Sequence, residues 1–360
     1  MWSLRSGRDD ILDSEGVQRA LPRYADVVRK KKFSKYLISK SMPVQFNVDE
    51  PEENLWEKHD SLLNHFNEEV EKIDKKSERP KSVSTSFLDL KARLGYRIMS
   101  SCRFCERECL VDRLSEAAGY CGAGKQFSLY SAFPHLGEEP ELVPSGTVFT
   151  GGCTIRCIHC QNWDISQWKS SGRTVDPKMM SIQVEELADR GCKNVNMVGG
   201  DPTPVTWQWI ETMTKVDRNL ATIWNSNSYY SEETSKLLAG FIDLYLLDFK
   251  YGNNKCAEEI SDAPGYWETA TRNHLMADKN GEIIIRILVL PGHNECCTRP
   301  ILQWIYDNIG PWTRVNLMFQ YRPEWRARER KELSRRLTGA EIREAKQMAT
   351  DIGLKNLVRG

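Results

Sequence analysis

Eleven cysteines occur in 360 residues, and seven of them fall into two tight groups. One group is Cys153-x3-Cys157-x2-Cys160, set in Gly151-Gly152-Cys153-Thr154-Ile155-Arg156-Cys157-Ile158-His159-Cys160-Gln161-Asn162. Three thiolates on one loop can hold three irons of a four-iron, four-sulfur cluster and leave the fourth iron without a protein ligand. A cluster held by four cysteines is coordinatively full and suits electron transfer, whereas an open iron can bind a small molecule and pass it an electron. The alternative is a zinc site completed by His159, since zinc takes four sulfur or nitrogen donors. His159 lies between Cys157 and Cys160, where ligation of one ion by all three would be cramped.

The other group is Cys102-x2-Cys105-x3-Cys109 followed by Cys121. Four thiols so close in sequence can close a metal site, either a structural zinc or a full iron–sulfur cluster, and the spacing does not choose. Gly119-Tyr120-Cys121-Gly122 supplies the tight backbone that a returning ligand needs. Cys192, Cys256, Cys296 and Cys297 belong to neither group and read as buried thiols.

These groups need a scaffold, and composition bounds it. Fifty basic residues balance fifty acidic ones, so no net field recommends a nucleic acid or a membrane surface. No run of about 18 apolar residues occurs, and Met1-Trp2-Ser3-Leu4-Arg5 begins no apolar signal region. An odd cysteine count dominated by two metal-like groups points to a cytosolic protein rather than a disulfide framework.

From Ser145 onward, short apolar runs alternate with longer helical stretches, the pattern of β/α units around a parallel sheet. Strands are expected over residues 147–150, 194–198, 221–225, 243–248, 283–290 and 315–320. Helices are expected over 181–190, 203–218, 231–239, 266–277 and 300–309. The fold class is therefore α/β, a partial (β/α)6 barrel, with a last helix over 339–352 closing its end. Four segments follow: a charged, mainly helical extension (1–100), a four-cysteine metal-binding segment (101–144), the barrel core (145–335) and a C-terminal helix (336–360). Within the extension, Leu55, Leu62, Phe66, Val70 and Ile73 mark one amphipathic helix over 49–73, residues 75–86 have linker composition, and 87–99 resumes a helical pattern. The basic run from Arg29 to Lys32, with Lys35, reads as a solvated face, with contact to RNA or an acidic partner as the alternative.

In barrels of this kind, catalytic groups gather at the C-terminal ends of strands, and every motif falls there. The cysteine triplet follows the first strand. Gly199-Gly200-Asp201-Pro202-Thr203-Pro204 follows the second, where glycine amides let a carboxylate or amino-acid head group approach the backbone. The third ends in Trp224-Asn225-Ser226-Asn227-Ser228, as a hydrogen-bonding exit or a plain turn. The fourth ends in Asp248-Phe249-Lys250, an acid and a base on one face, as a cavity pair or a plain ion pair. Arg286, inside the apolar fifth strand, must be paired or turned into a polar lumen, and His293 beyond it is an acid, base or turn residue.

The triplet with its Cys-Gln-Asn ending, Gly-Gly-Asp-Pro-Thr-Pro, Asp-Phe-Lys and Arg-Ile-Leu-Val-Leu-Pro-Gly-His together resemble the radical S-adenosylmethionine (SAM) superfamily. Within it they resemble the pyruvate formate-lyase activating enzyme branch and its archaeal and bacterial homologues, across residues 102–323. The resemblance implies that SAM binds the open iron of a 4Fe-4S cluster on Cys153, Cys157 and Cys160. Reductive cleavage would then give a 5′-deoxyadenosyl radical that takes hydrogen, as in the activases, from a glycine of a glycyl-radical enzyme. It implies cofactor contacts from Gly199, Gly200 and Asp201, which stand in place of a Gly-Gly-Glu motif, aided by Asn225, Asp248, Lys250 and Arg286. His159 occupies the position of an aromatic residue near the adenine. A reductant such as ferredoxin or flavodoxin is implied as partner. Another peptide, an RNA base or a small metabolite is the alternative substrate, and a non-catalytic, metal-stabilised interaction module is the third reading. In activases with auxiliary ferredoxin-like clusters the extra cysteines follow the triplet, whereas here Cys102, Cys105, Cys109 and Cys121 precede it.

Overall fold

Strands that are apolar on both faces are stable only when both faces are covered, which parallel β/α units achieve. The computed structural model, which describes residues 11–115, 117–167 and 172–358, has that architecture. The chain opens with helices α1 (Glu15–Ala20), α2 (Pro22–Val28), α3 (Lys35–Ser41), α4 (Glu52–Asn64), α5 (Phe66–Lys76) and α6 (Phe87–Ser100). Then come β1 (Phe127–His135), β2 (Ser145–Thr150), α7 (Trp163–Ser166), β3 (Arg173–Val175), α8 (Pro177–Asp189), β4 (Asn194–Gly199), α9 (Thr206–Lys215) and β5 (Ala221–Ser226). The remainder is α10 (Glu232–Leu238), β6 (Leu244–Asp248), α11 (Asn254–Ser261), α12 (Tyr266–Asn280), β7 (Glu282–Leu288), α13 (Arg299–Asn308), β8 (Arg314–Met318) and α14 (Gly339–Ile352). Among the described residues, no helix is long and apolar enough to cross a membrane.

One sheet carries the order β3-β1-β2-β4-β5-β6-β7-β8. Its last six strands run parallel in chain order, the expected partial barrel, while β1 lies antiparallel against β2 and β3 lies antiparallel against β1. Neither of these two antiparallel strands was anticipated. β1 places the end of the expected metal-binding segment, 101–144, inside the sheet.

The inner face has two storeys, because alternate residues of each strand point into the lumen. In the lower storey Ala221, Ile223, Leu244, Leu246 and Ile284 pack against Leu12, Val17, Leu21, Tyr24, Ala25 and Val27. The start of the extension, residues 12–27, is thus the floor plug of the barrel. Glu282 fixes it by accepting the backbone N–H groups of Arg23 and Tyr24, each at 2.6 Å, and the Tyr24 hydroxyl accepts from Asn194 Nδ2 at 2.9 Å.

Above this plug the connection from β1 to β2 crosses the lumen. Asn196 on β4 donates to Glu138 at 3.2 Å, Arg286 on β7 and Asn316 on β8 donate to Glu139 at 2.7 and 2.8 Å, and Arg314 donates to Glu141 at 2.8 Å. The open side of the barrel is bridged by charge.

The extension departs from expectation in two ways. The single helix over 49–73 is broken at His65, because its halves have different partners: α4 packs on α6, and α5 packs on α3. The basic run is a solvated face only in part: Lys30 and Lys31 are exposed. Lys35 is buried, its amide donating to Asp243 at 2.9 Å and its ammonium to the Asn280 carbonyl at 2.5 Å, while Arg29 pairs with Asp13 and Lys32 with Asp26. Lys35 thus finds its partners on the barrel that the plug closes, while Arg29 and Lys32 pair within the extension itself. The helix expected over 203–218 also divides, into a 3-10 turn (Thr203–Val205) and α9.

Burial raises the Glu282 carboxyl to about 7, against the lowering effect of the Arg23 and Tyr24 amides. A folded pKa above the ordinary value of 4.5 means that the native chain holds a proton the unfolded chain has released, so stability falls as pH rises between those values. Replacing Glu282 by Gln is expected to flatten this part of the stability–pH curve in urea denaturation. An unchanged slope would show that the proton resides elsewhere.

Candidate active site

The loop of residues 151–162 leaves β2 at its C-terminal end and is held almost wholly by the backbone of other elements. Gly151 N–H donates to the Ser128 carbonyl on β1 at 2.9 Å, and Gly152 N–H to Ile165 on α7 at 3.0 Å. Arg156 and Ile158 donate to Ser261 and Ile260 at the end of α11, at 2.7 and 3.0 Å. Gly152 has φ +94, and a Cβ there would lie 2.9 Å from the Cys121 carbonyl. A Cβ on Gly200 would lie 2.2 Å from the Gly152 carbonyl, so glycine is what lets the β4 exit pack against the cysteine loop.

Each thiol of the triplet has one polar neighbour. Asn227 Nδ2 donates to Cys153 Sγ at 3.4 Å, Ser261 Oγ donates to Cys157 Sγ at 2.9 Å, and Ser166 Oγ lies 3.2 Å from Cys160 Sγ. Donors of this kind stabilise a metal-bound thiolate and tune the metal it holds. Burial raises the Cys153 thiol well above its usual range, with Asp201 adding to the effect, and raises Cys157 to about 11. At these sulfurs a bound metal would displace the proton that burial otherwise retains, releasing it to solvent.

One tetrahedral zinc with bonds of about 2.3 Å draws its donors to roughly 3.8 Å from each other. Among the described residues, the only three or more Cys, His, Asp or Glu ligand atoms mutually within 4.8 Å are those of Cys256, His293 and Cys296. The triplet is set wider than a single ion holds its ligands, which fits a cluster. His159 supplies no fourth ligand: its Nε2 lies 3.3 Å from the Tyr251 hydroxyl and its ring meets Tyr321 edge-on at 5.8 Å. Burial, then the Lys250 charge, lowers its pKa to about 3, so the imidazole is neutral.

The three thiols open on a cavity of about 810 Å³, which His159, Gly199, Gly200, Asn225, Asp248, Lys250 and Arg286 also line. Lys250 pairs with Asp248 at 2.6 Å. Burial opposes the charge on Lys250, yet Asp248 and then Cys157 raise its pKa above the ordinary value. Arg286 lies between Glu138 and Glu139, paired with both, and forms the cavity floor. Asp201 is placed differently from expectation. It does not line the cavity; its carboxylate accepts from Thr203 N–H at 2.9 Å, Ser226 Oγ at 3.0 Å and Asn227 N–H at 2.7 Å. It ties the β4 exit to the β5 exit and so aims Asn227 at Cys153.

Several contributors lay outside the sequence reading. Glu138 and Glu139 carry the floor, and only their doublet of charge just after β1 hinted at it. Ser261 went unnoticed because α11 was not expected. Asn227 stood in a quoted motif without a role.

The other cysteine group packs on the back of the loop. Arg107 Nε donates to the Thr154 carbonyl at 3.1 Å, Arg156 reaches the Tyr120 carbonyl, and a hairpin pairs Cys102 N–H with Val111 and Leu110 N–H with Cys102, both at 3.0 Å. No three of these four thiols stand within 4.8 Å of each other either.

A sequence profile of the Radical SAM superfamily matches residues 147–305. The uncharacterized protein MJ0674 of Methanocaldococcus jannaschii is 40% identical over 342 residues, 93% of this chain and 98% of that protein. Among solved structures, SuiB of Streptococcus suis bound to precursor peptide SuiA is similar with a TM-score of 0.43 and 14% identity, over 58% of this chain and 46% of SuiB. The chain thus spans under half of SuiB's length. A domain of pyruvate-formate lyase-activating enzyme from Bacteroides vulgatus gives a TM-score of 0.33 and 14% identity, over 51% of this chain and 91% of that domain.

Replacing Arg286 by Met strands two carboxylates in the lumen and is expected to lower stability by about 3–5 kcal/mol. Adding Glu138→Gln and Glu139→Gln should recover part of the loss in the same denaturation series. A loss under about 1 kcal/mol would mean that solvent reaches the floor.

Proposed function

The chain belongs to the radical SAM superfamily, and we propose that it is an activase-like enzyme that takes hydrogen from a glycine of a partner polypeptide. The observation that carries the reading is the convergence of three thiols, two buried and Cys160 half-buried, each with its own polar neighbour, on a cavity walled by Gly199 and Gly200. When bound, the 4Fe-4S cluster and SAM supply an electron and a 5′-deoxyadenosyl radical. The protein's own part is positioning and exclusion of water. Cys153, Cys157 and Cys160 hold the cluster, and the backbone at Gly199 and Gly200 meets the amino-acid portion of SAM. Asn225 and the Asp248–Lys250 pair offer acceptors and donors to the rest. Asp201 acts on the cofactor only through Ser226 and Asn227. The branch-level motifs, Cys160-Gln161-Asn162 above all, support glycine as the hydrogen donor.

The group Cys102, Cys105, Cys109 and Cys121 is proposed to hold a second iron–sulfur cluster rather than zinc. Its thiols are spaced too widely for one ion, and four protein ligands suit electron transfer. It lies against the catalytic loop through Cys121 and Gly152, so an electron from a ferredoxin or flavodoxin would have a short route. Eleven free cysteines fit a reducing, cytosolic setting.

Oxygen-free reconstitution followed by dithionite and SAM should release 5′-deoxyadenosine and methionine, and Cys157→Ala should abolish both. A glycyl radical on a candidate partner, detected by electron paramagnetic resonance, would establish the donor. Nucleoside without such a signal would point to another substrate, and no nucleoside would end the proposal. Iron analysis should find roughly eight atoms per chain for two cubes rather than about four. Cys102→Ser with Cys105→Ser should return the count to about four while the triplet's cube remains.

A further inference from the structure

Three donors converge where α11 meets the exit of β7, with a fourth, Cys297, beside them, and none of the four lines the cavity. The ligand atoms of Cys256, His293 and Cys296 all lie within 4.8 Å of one another. Cys256 Sγ is 3.9 Å from Cys296 Sγ, and Cys297 brings another sulfur 3.9 Å from that of Cys296. We propose that Cys256, His293 and Cys296 hold a structural zinc that staples the start of α11 to the exit of β7, with the adjacent Cys297 turning in as the fourth ligand when the metal binds.

The spacing argues for one ion, since tetrahedral zinc–sulfur bonds of about 2.3 Å set sulfurs roughly 3.8 Å apart. A disulfide, at about 2.05 Å, would need the sulfurs of Cys256 and Cys296 at half their separation. His293 is already oriented as a ligand. Its Nδ1–H donates to the Pro291 carbonyl at 2.8 Å, which fixes the tautomer and leaves the Nε2 lone pair free. Asn253 braces the sulfurs from behind, its Nδ2 donating to Cys256 Sγ at 3.4 Å and to the Cys296 carbonyl at 2.8 Å. Backbone features make the convergence possible. A Cβ on Gly252 would lie 2.7 Å from the Cys297 carbonyl, so only glycine permits the loops to meet. Residues Asn294–Thr298 form a π-helical turn before α13, a widened turn that is frequent at functional sites.

The consequence reaches the triplet. The far end of α11 supplies the Ser261 and Ile260 carbonyls to Arg156 and Ile158, and the Ser261 hydroxyl to Cys157. A metal at the start of this helix holds the element that holds the catalytic loop. The zinc assignment itself does not depend on the radical chemistry.

The test uses the full chain, purified without oxygen from zinc-supplemented cultures. In the wild type, Cys256, Cys296 and Cys297 should resist iodoacetamide until a chelator is added, as read by peptide mass spectrometry. Cys256→Ser with Cys296→Ser should lose one zinc per chain relative to wild type. Cobalt substitution should give thiolate-to-cobalt charge-transfer absorption that the double variant lacks. Immediate alkylation of all three thiols in the native protein, equal zinc in both proteins, or a disulfide among the three in non-reducing maps would each overturn the site. The alkylation result needs no variant, so a variant that fails to fold does not decide the question.

Discussion

A guanidinium inside a barrel needs counter-charge, and much of this structure follows from meeting that need at Arg286. Its pairing with Glu138 and Glu139 requires the β1–β2 connection to enter the lumen. One level down, Arg314 with Glu141 repeats the arrangement, both side chains almost wholly buried. Removing either partner of such a pair leaves a stranded charge, so the crossing segment is locked in place once the strands have formed. The outcome is a partition: a polar cavity above and an apolar plug below.

Above the partition, the cysteine loop has little structure of its own. Its shape is borrowed through backbone hydrogen bonds from β1, α7, the β4 exit and α11. Such a loop can be irregular and still well placed, because every partner belongs to the rigid frame. The buried Asp201 contributes in the same way. Burial raises its pKa, and the donors from Thr203, Asn227 and Ser226 work to hold it ionised as the knot between two strand ends.

Much of the barrel was legible in the sequence, since buried parallel strands are short apolar runs with turn residues on either side. The six expected parallel strands differ from the observed ones by at most two residues at either end. β3, with three residues, and β1, interrupted by Pro134, carried too little pattern to stand out. The break at His65 was hidden because apolar steps of three, four and seven residues continue through it while the packing partner changes. In the site, the local motifs could be read and their long-range partners could not. Arg286 announced its need for a counter-charge, but Glu139 lies 147 residues away. The cluster of Cys256, His293, Cys296 and Cys297 was unreadable for the same reason, since its cysteines are split by 40 residues and joined only by the fold.

The floor plug also sets an order of events on the ribosome. Arg23 finds its acceptor at Glu282, 259 residues further along the chain. Leu12, Val17, Leu21 and Val27 therefore leave the exit tunnel long before β7 exists to help cover them. Domains fold as units during synthesis, and transiently exposed apolar surface invites aggregation. These helices, made well before β7, complete their burial only after it, and until then they leave apolar surface uncovered.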